Sequence, residues 1–436
     1  MSKTEIYIPA CLRTFQGFDV IDLKEERRKL HMTIVLHARE DRERQCWKCG
    51  SGLGALKDRH RIRAKHLRMG FWTTSVEFFR DKRHCPRCKK VRSERIEWLS
   101  PSSVHVTMDM AWNLNRLTEI TSVLSASKLE SVDKNSCYRV DKVVLLRLLQ
   151  GYKIPPVTHI AVDEVYARGP RQLKVNETRN DLFMTVIVDI KTHKVIWVSK
   201  SRRKEALDAF FQLIGEKACK KIEVVSTDQH EDYGASVREY CPKAIQVWDR
   251  FHLVQKFNEA LNEDRKDELE EIDPESKHYD TQAELLRGRN RYVFLTKAKN
   301  RSKQSQYILD TVSKLNQKIY KMELIKEHFH KVFDCETREE AEVMLADVYQ
   351  WSLQASAINV FNWVKSIRAD ERFWNYFQCK VTNGVSEGIN RVIKGLKWQA
   401  YGYKDMDYFA LKILQKAGYL NSQYHSMYLP ELAATH

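Results

Sequence analysis

Residues 159–166 read His-Ile-Ala-Val-Asp-Glu-Val-Tyr and come shortly after a break at Pro155 and Pro156. Their apolar, β-branched character predicts a buried strand. Successive side chains of a strand point to opposite faces, so Asp163 and Glu164 cannot both enter one site. One of the two carboxylates can serve a catalytic centre, and that centre needs partners from elsewhere in the chain.

The stretch that follows alternates between strand and helix patterns. We expect helices near residues 206–214 and 232–240, and strands at residues 159–167, 182–189, 194–199, 222–227 and 244–248. The order βββαβαβ is typical of a ribonuclease-H-like core, in which helices pack on a mixed sheet. The first and fourth strands of such a sheet are neighbours. Asp163 in the first strand and Asp228 at the end of the fourth are therefore expected to meet.

A helical pattern replaces this alternation from about residue 253 to residue 380. Apolar residues between 308 and 329 form one long amphipathic stripe, which favours helix packing over a binding seam. Thr337 and Glu340 have capping-box spacing and are expected to open the next helix. The ribonuclease-H-like core is thus predicted to be interrupted by a large all-helical insertion.

Beyond the insertion, we expect Ser386 or Asn383 to cap a helix that carries Glu387, with Arg391 and Lys394 on a neighbouring face. Magnesium prefers carboxylate ligands, so a phosphodiester-cleaving site with two metal ions needs several hard oxygens close together. A lone aspartate after a strand is usually a cap. Three carboxylates in this strand order, in contrast, favour a metal site.

Two Cys-x2-Cys pairs occur in the N-terminal part, at Cys46 and Cys49 and at Cys85 and Cys88. Four thiolates in two such knuckles suit a closed tetrahedral zinc site, and a hairpin can fill the long spacer between them. The 10 cysteines without a secretory signal favour reduced thiols over a disulfide framework. We therefore predict one structural Zn²⁺ ion, with unrelated core cysteines as the alternative.

Basic residues outnumber acidic ones, which gives a net charge of +16 and a pI near 9.2. This excess favours a polyanionic partner, because neutralised phosphates release counterions; a solvated basic surface is the alternative. Helical patterns on both sides of a polar break at residues 131–136 fit a DNA-binding helix-turn-helix, and an ordinary helical linker fits equally well. The candidate DNA-binding residues are Arg59, Arg61, Arg63, Lys65, Arg391, Lys394 and Lys397.

The overall composition is that of a globular protein, with 43% hydrophobic and 10% aromatic residues. No apolar run approaches the roughly 20 residues needed to span a bilayer. Residues 1–9 contain no signal-peptide apolar core. We therefore expect a soluble protein of a reducing compartment, the cytoplasm, with no membrane partner.

Several motifs occur together between residues 46 and 415. They are the two cysteine knuckles, the strand with Asp163-Glu164, the Thr-Asp228 strand end, Asp249-Arg-Phe-His252, the block Thr382-Asn383-x-x-Ser386-Glu387-Gly388-x-Asn390, Ala400-Tyr-Gly-Tyr403 and Tyr408-Phe409. Together they resemble bacterial insertion-sequence transposases of the ISL-three type, a branch of the DDE class. The C-terminal block is the most specific part of this resemblance.

The resemblance implies a catalytic triad of Asp163, Asp228 and Glu387, which would hold two Mg²⁺ or Mn²⁺ ions per active site. It implies cleavage at transposon ends by water, followed by attack of the freed 3′-hydroxyl on target DNA. Asp249 and His252 look like an Asp-x-x-His element of transposases, which steadies the active-site face or touches a flipped base. A local cap interaction is the alternative for this pair.

Glu164, on the face opposite Asp163, is then expected to pair with a basic residue or to support the fold. The predicted domains are a zinc-binding DNA-recognition module (1–100), a helix-turn-helix-like domain (101–152), the first part of the ribonuclease-H-like core (153–265), the helical insertion (266–378) and the C-terminal core part with the third carboxylate (379–436). This multidomain α/β chain is predicted to be a nucleoid-associated bacterial transposase that binds terminal inverted repeats and target DNA as a homodimer or larger assembly. The alternatives are a transposase-derived DNA-binding protein without catalysis and a ribonuclease-H-like nuclease that cuts without joining.

Overall fold

A computed structural model describes residues 15–381 and 384–420, apart from the side chains of residues 289, 291, 384 and 385. Of the two predicted helix caps, Ser386 is wrong, because it lies inside the helix Gly384–Gln399, and Asn383 lies outside the described residues. The chain divides into two compact units. The discontinuous unit comprises Met1–Lys153 and Lys394–His436, and the central unit comprises Ile154–Ile393.

The discontinuous unit is built on a five-stranded mixed sheet. Its strands are β1 (Phe18–Glu26), β2 (His31–Ala38), β3 (Leu56–Met69), β4 (Trp72–Cys85) and β5 (Lys90–Ser93). The order is β1-β2-β4-β3, with β5 also paired to β4, and only the β2–β4 pair in this sheet is parallel. The β3–β4 hairpin fills the spacer between the two cysteine knuckles, as predicted. Edge-to-face contacts among Phe18, Phe78 and Trp98 fix the core of the sheet.

Among the residues of this unit that the structure describes, four α-helices lie wholly within it: α1 (Met108–Ile120), α2 (Val123–Leu129), α3 (Lys134–Gly151) and α16 (Met406–Ala417). The helical pattern expected before the polar break at residues 131–136 is divided between α1 and α2. Thr121 is extended, and the Ser122 hydroxyl accepts a hydrogen bond from the backbone N–H of Ser125, so a new helix begins there.

Asp405 connects α16 to α3 within this unit. Its carboxylate accepts a hydrogen bond of 2.5 Å from the Tyr138 hydroxyl and pairs with Lys142. It also caps α16 by accepting from the backbone N–H of Tyr408 at 3.0 Å. Burial alone would raise the pKa of Asp405, but these partners lower it to about 2.

The central unit contains a second five-stranded mixed sheet. Its strands are β6 (His159–Tyr166), β7 (Phe183–Asp189), β8 (Lys194–Ser199), β9 (Val224–Thr227) and β10 (Ile245–Trp248). Their order is β10-β9-β6-β7-β8, so the first and fourth strands are neighbours, as predicted. The pairs β6–β7 and β7–β8 are antiparallel, whereas β6–β9 and β9–β10 are parallel. The helices α4 (Lys204–Ile214), α5 (Glu216–Cys219) and α6 (Glu231–Tyr240) lie along the chain between β8 and β10.

After β10 the chain is helical. The helices are α7 (Arg250–Glu271), α8 (Tyr279–Leu286), α9 (Arg291–Leu295), α10 (Lys303–Leu315), α11 (Gln317–Val332), α12 (Arg338–Gln354), α13 (Ile358–Arg368), α14 (Glu371–Cys379) and α15 (Gly384–Gln399). Their core includes the stacked rings of Phe257 and Phe329, whose centroids are 4.1 Å apart. Within residues 15–381 and 384–420, none of the helices combines the length and apolar character needed to cross a bilayer.

The single apolar stripe predicted for residues 308–329 is divided between α10 and α11. Asn316 has extended backbone, and its side chain accepts a hydrogen bond from the N–H of Ile319 at 3.0 Å and donates one to Glu268 at 2.6 Å. These bonds stabilise a helix start at Asn316 and interrupt the stripe. The capping box of Thr337 and Glu340 at the start of α12 is confirmed.

Candidate active site

The parallel strands of the central sheet share one register. The β6–β9 ladder ends at the pair Ala161–Ser226, and two residues further on the same register brings Asp163 beside Asp228. Corresponding residues of neighbouring strands point to the same face of a sheet. The register therefore supports proximity of the first two predicted catalytic aspartates.

The next pair of strands extends this row. The β9–β10 ladder ends at Thr227 and Trp248, and the N–H of Asp249 donates to the carbonyl of Thr227 at 2.8 Å. One residue further on, Asp249 follows β10 as Asp228 follows β9. Three neighbouring parallel strands thus present an aspartate at the same level, and we call Asp163, Asp228 and Asp249 the aspartate row.

His252 connects two members of the aspartate row. Its Nε2 atom lies 3.5 Å from Asp163 Oδ1 and 3.7 Å from Asp249 Oδ2. Asp249 caps α7 by accepting from the N–H of Phe251 at 2.7 Å, which sets His252 on the first helical turn. Potential ligand atoms of Asp163, Asp249 and His252 all lie within 4.8 Å of one another.

The environment of His252 is strongly acidic. Burial alone would lower the pKa of this imidazole, but the hydrogen bond to Asp163 and the charges of Asp249, Asp163 and Asp228 raise it to about 9. The charge of Asp228 therefore reaches His252, although Asp228 is not part of the 4.8 Å cluster.

Helix α15 meets the aspartate row through Asn390. Its side-chain amide donates a hydrogen bond of 2.7 Å to Asp163 Oδ2, while the other oxygen of Asp163 accepts from the N–H of Glu164 at 2.7 Å. Glu387 lies one helical turn before Asn390, and residues at this spacing share a helix face. The sequence motif contains Asn390 but predicted no role for it. Its position three residues after Glu387 was a signal that both side chains lie on one helix face.

Glu387 lies outside the 4.8 Å cluster. Its side chain is 45% exposed, and Oε1 pairs with Arg391 Nη2 at 2.5 Å along the same helix. The structure thus brings Asp163, Asp249 and His252 together directly, sets Asp228 in register with them, and sets Glu387 one turn from Asn390. The assignment of Asp163, Asp228 and Glu387 as the catalytic triad stays a prediction.

Glu164 pairs with a basic residue, as predicted. Its Oε2 atom lies 3.4 Å from Arg202 Nη1. Burial and the charge of Asp228 raise the pKa of Glu164 above its usual range. The charge of Asp228 therefore acts on both Glu164 and His252.

The four predicted zinc ligands form one cluster in the discontinuous unit. The sulfur atoms of Cys46, Cys49, Cys85 and Cys88 all lie within 4.8 Å of one another. The distance between the sulfurs of Cys49 and Cys85 is 3.6 Å, close to the edge of about 3.8 Å of a tetrahedron with Zn–S bonds of about 2.3 Å. It is far longer than the roughly 2.05 Å of a disulfide.

The second coordination sphere around this cysteine cluster also suits a metal. The Ser51 hydroxyl lies 3.0 Å from Cys49 Sγ and 3.3 Å from Cys85 Sγ, and the N–H of Cys88 donates to Cys85 Sγ at 3.3 Å. Hydrogen bonds with Ser51 lower the pKa of Cys49 to about 6, whereas the neighbouring Cys49 raises the pKa of Cys88 to about 11. Four clustered cysteine sulfurs are the ligand set of structural zinc sites, so the donor set fits zinc.

The candidate DNA-binding cations fall into two groups. Arg59, Arg61, Arg63 and Lys65 alternate along β3 and therefore share one of its faces. Their partners are Asp81 for Arg59 (2.8 Å), Glu77 for Arg61 (2.5 Å), Thr33 for Arg63 (2.6 Å) and the Ser131 carbonyl for Lys65. Arg391 and Lys394 are exposed on α15, and Lys397 is half-buried. Their contact with DNA stays a prediction.

Comparison with known proteins identifies the class. The family model DDE_Tnp_ISL3, described as Transposase, matches residues 162–413, which is more than half of the chain. The chain belongs to this family and is an insertion-sequence transposase of the ISL3 type, which confirms the resemblance drawn from the motifs. Membership places it among enzymes that cleave and transfer nucleic acid.

Individual relatives extend the match beyond the family region. The transposase for insertion sequence element IS1001 of Bordetella parapertussis is 24% identical over 379 residues, which cover 84% of this chain and 87% of the relative. The transposase for insertion sequence element IS1557 of Mycobacterium tuberculosis is 25% identical over 270 residues, 56% of this chain and 59% of the relative, in each of two strains. The first similarity therefore covers most of both chains.

Proposed function

We propose that this transposase cuts the ends of its own insertion sequence and joins them to target DNA at the aspartate row. The observation that carries the proposal is the shared register of β6, β9 and β10, which aligns Asp163, Asp228 and Asp249 at one level. The strand order β10-β9-β6-β7-β8 supports a ribonuclease-H-like core for this unit.

Asp163, Asp228 and Glu387 would hold two Mg²⁺ or Mn²⁺ ions. Such ions, when bound, make water a better nucleophile and stabilise charge on the leaving oxygen. The donor set fits them, because hard carboxylate oxygens are their preferred ligands and Asp163 is already oriented by two hydrogen bonds. Glu387 would exchange its exposed pairing with Arg391 for a place beside Asp163.

The side chains of Asn390 and His252 hold and orient the carboxylates of the aspartate row. Asn390 fixes Asp163 Oδ2, so it determines the rotamer of the buried carboxylate. His252 lies between Asp163 and Asp249 and limits the repulsion between them. These two side chains are positioning residues, since neither needs to touch a reacting atom.

The proposed chemistry has two steps of the same kind. In cleavage, a water oxygen bonds to the phosphorus at the transposon end while the bond from phosphorus to the 3′-oxygen breaks. One water proton ends on that oxygen, which gives a free 3′-hydroxyl and a 5′-phosphate on the flanking strand. In transfer, this 3′-hydroxyl bonds to a target phosphorus, and the target 3′-oxygen leaves with the proton.

The discontinuous unit would recognise DNA. Its basic β3 face and its three consecutive helices support recognition of the terminal inverted repeats, and a zinc ion on the four cysteines would hold β4 and β5 to the first knuckle. Two ends must be brought together for joining, so we propose that a dimer or larger assembly acts on DNA.

The test is strand cleavage and joining by the full chain on a duplex that carries the element end, with Mg²⁺. Asp163→Asn, Asp228→Asn and Glu387→Gln are each expected to abolish both products while the chain stays folded. Asp232→Asn is the matched control, because this aspartate on α6 is exposed and loses the same charge. Full activity of any triad variant would remove that residue from the site, and cleavage without joining would favour a nuclease.

A further inference from the structure

A pocket in the discontinuous unit lies between the starts of α2 and α3 and the turn that follows α15. Its volume is about 470 Å³, within the range of about 300–1,000 Å³ that is typical of small-ligand sites. Its lining residues come from the segments 118–124, 134–138 and 396–412, which all belong to this unit. A pocket of this size suits a single nucleotide rather than a base-paired duplex.

The turn after α15 is a Schellman motif with a tyrosine at its left-handed position. The N–H of Gly402 donates to the Lys397 carbonyl at 2.8 Å. The N–H of Tyr401 donates to the Trp398 carbonyl at 3.0 Å, and the φ of Tyr401 is +54°. Glycine is favoured at this position, because a Cβ atom crowds the backbone there. The segment Ala400-Tyr-Gly-Tyr403 therefore holds Tyr401 in a conformation that costs free energy.

Packing does not explain the tyrosine. Tyr401 is 97% exposed, so its ring buries almost no apolar area, and Trp398 is 83% exposed three residues earlier. A residue that strains the backbone without any gain in burial is typical of a functional position. Because Tyr401 also lines the pocket, it lies at the mouth of the pocket.

The mouth of the pocket is basic. Lys134 at the start of α3 and Lys404 in the turn after α15 both line the pocket and are exposed. Among the described lining residues, the one carboxylate is that of Asp405, which already accepts from Tyr138 and pairs with Lys142. The two lysines therefore present positive charge that suits a phosphate.

We propose that this pocket binds one unpaired nucleotide of DNA. The Tyr401 ring stacks on the base, and Lys134 and Lys404 lie at the phosphate. Stacking on an aromatic ring tolerates any base, because every base has a π face. Both faces of an internal base are covered in a duplex, so an exposed ring selects a base outside the stack. The proposal rests on the proposed function for the identity of the ligand as DNA, and it adds recognition of an unpaired nucleotide beside the element end.

The first test compares two fluorescent probes that the full chain binds: a blunt duplex with the element end, and an extended probe, which is the same duplex with a short unpaired extension. The wild type is expected to bind the extended probe about tenfold more tightly, the gain of one stacked base. Tyr401→Gly should remove this gain and Tyr401→Phe should retain it, while both bind the blunt duplex as the wild type does. Tyr401→Gly should also raise the melting temperature, because glycine relieves the left-handed strain.

Leu30→Gly is the matched control, because Leu30 is another exposed residue with positive φ in the same unit. It should keep the preference for the extended probe. Equal affinity of the wild type for the two probes, or an unchanged preference in Tyr401→Gly, would overturn the site. A change in the oligomeric state of Tyr401→Gly on sedimentation would overturn it too, since a second copy of the chain would then cover Tyr401. Absence of wild-type binding to both probes would refute the proposed function itself.

A second test concerns the phosphate. Lys134→Gln is expected to reduce the slope of log Kd against log salt by about 0.7 on the extended probe, the amount for one single-strand phosphate contact, and to leave the slope on the blunt duplex unchanged. Lys128→Gln is the matched control, because Lys128 is an exposed lysine of α2 outside the pocket lining. Equal slopes for Lys134→Gln and the wild type on the extended probe would contradict the phosphate contact.

Discussion

The cysteine cluster and the aspartate row are both candidate metal sites, but the chain assembles them differently. Cys46, Cys49, Cys85 and Cys88 come from two knuckles that one hairpin brings together. The aspartate row takes its members from three strands, and Asn390 and Glu387 join it only after eight intervening helices. A site closed by one hairpin is a local property of the chain, whereas the row exists only when the whole central unit is folded.

The largest expected effect concerns chemistry at the row. Asp163→Asn should lower the cleavage rate about a thousandfold or more, because loss of a metal ligand removes several kcal/mol of transition-state stabilisation. The free energy of unfolding should fall only by the cost of about one hydrogen bond, since Asn can still accept from the N–H of Glu164 but cannot also accept from Asn390. Rates on element-end DNA and a thermal melt of the same preparation check this. A large loss of stability would mean that the row supports the fold as the cysteine cluster does.

The cysteine cluster should show the reverse pattern. Cys85→Ser should reduce bound zinc from about one equivalent and destabilise the discontinuous unit by several kcal/mol, because metal binding is coupled to folding. Metal analysis and a thermal melt measure the two effects. Ser93→Ala, at the end of β5, is a control without a sulfur ligand. A metal-free wild type that is fully folded would contradict the zinc assignment.

Asn390→Ala tests the contact between α15 and the row. Removing the hydrogen bond to Asp163 should slow cleavage roughly tenfold and cost about 1 kcal/mol in the free energy of unfolding. Asn375→Ala is the matched control, since it removes an amide hydrogen bond to the Gln246 carbonyl elsewhere in the central unit. If both variants lost the same stability and neither lost activity, Asn390 would be structural only.

The smallest expected effect is a pH-dependent one in the discontinuous unit. The pKa of Asp405 is about 2 in the folded chain, below its ordinary value of 3.8, so its charge stabilises the fold above about pH 4, and this contribution is lost as pH falls towards 2. Asp405→Asn keeps the helix cap but removes the charge. After allowance for solvent screening, it should lower the free energy of unfolding at pH 7 by about 1 kcal/mol.

Chemical denaturation of wild type and Asp405→Asn at pH 7 and near pH 2.5 measures this difference. The two proteins should converge at the acid end. A gap that persists unchanged at low pH would show that packing, not charge, connects Asp405 to Tyr138 and Lys142.

The sequence predicted local features well. Alternation and β-branched residues located all five strands of the central sheet to within two residues, and the strand order then made Asp163 and Asp228 neighbours. The cluster of four cysteines could be predicted from the Cys-x2-Cys spacing alone. The capping box at Thr337 also followed from spacing alone, because its hydrogen bonds span three residues.

What the sequence did not predict depends on contacts between distant segments or on competing side-chain bonds. Ser122 and Asn316 end apolar patterns because their own side chains cap new helices. The bond from Asn390 to Asp163 requires knowing how α15 docks on β6. The bond from the Ala298 N–H to Glu327 joins two segments 29 residues apart, and no periodicity encodes it.

The eight helices between Asp249 and α15 have a consequence for how relatives of this chain can differ in length. The row is fixed by the ladders of β6, β9 and β10 and by Asn390, so residues gained or lost in the turns between these helices leave it in place. Closing a longer turn costs little, because the entropy of closure grows only slowly with length. A short peptide inserted between the exposed turn residues 274 and 275, which lie between α7 and α8, should therefore preserve cleavage, and this turn is a suitable position for a label.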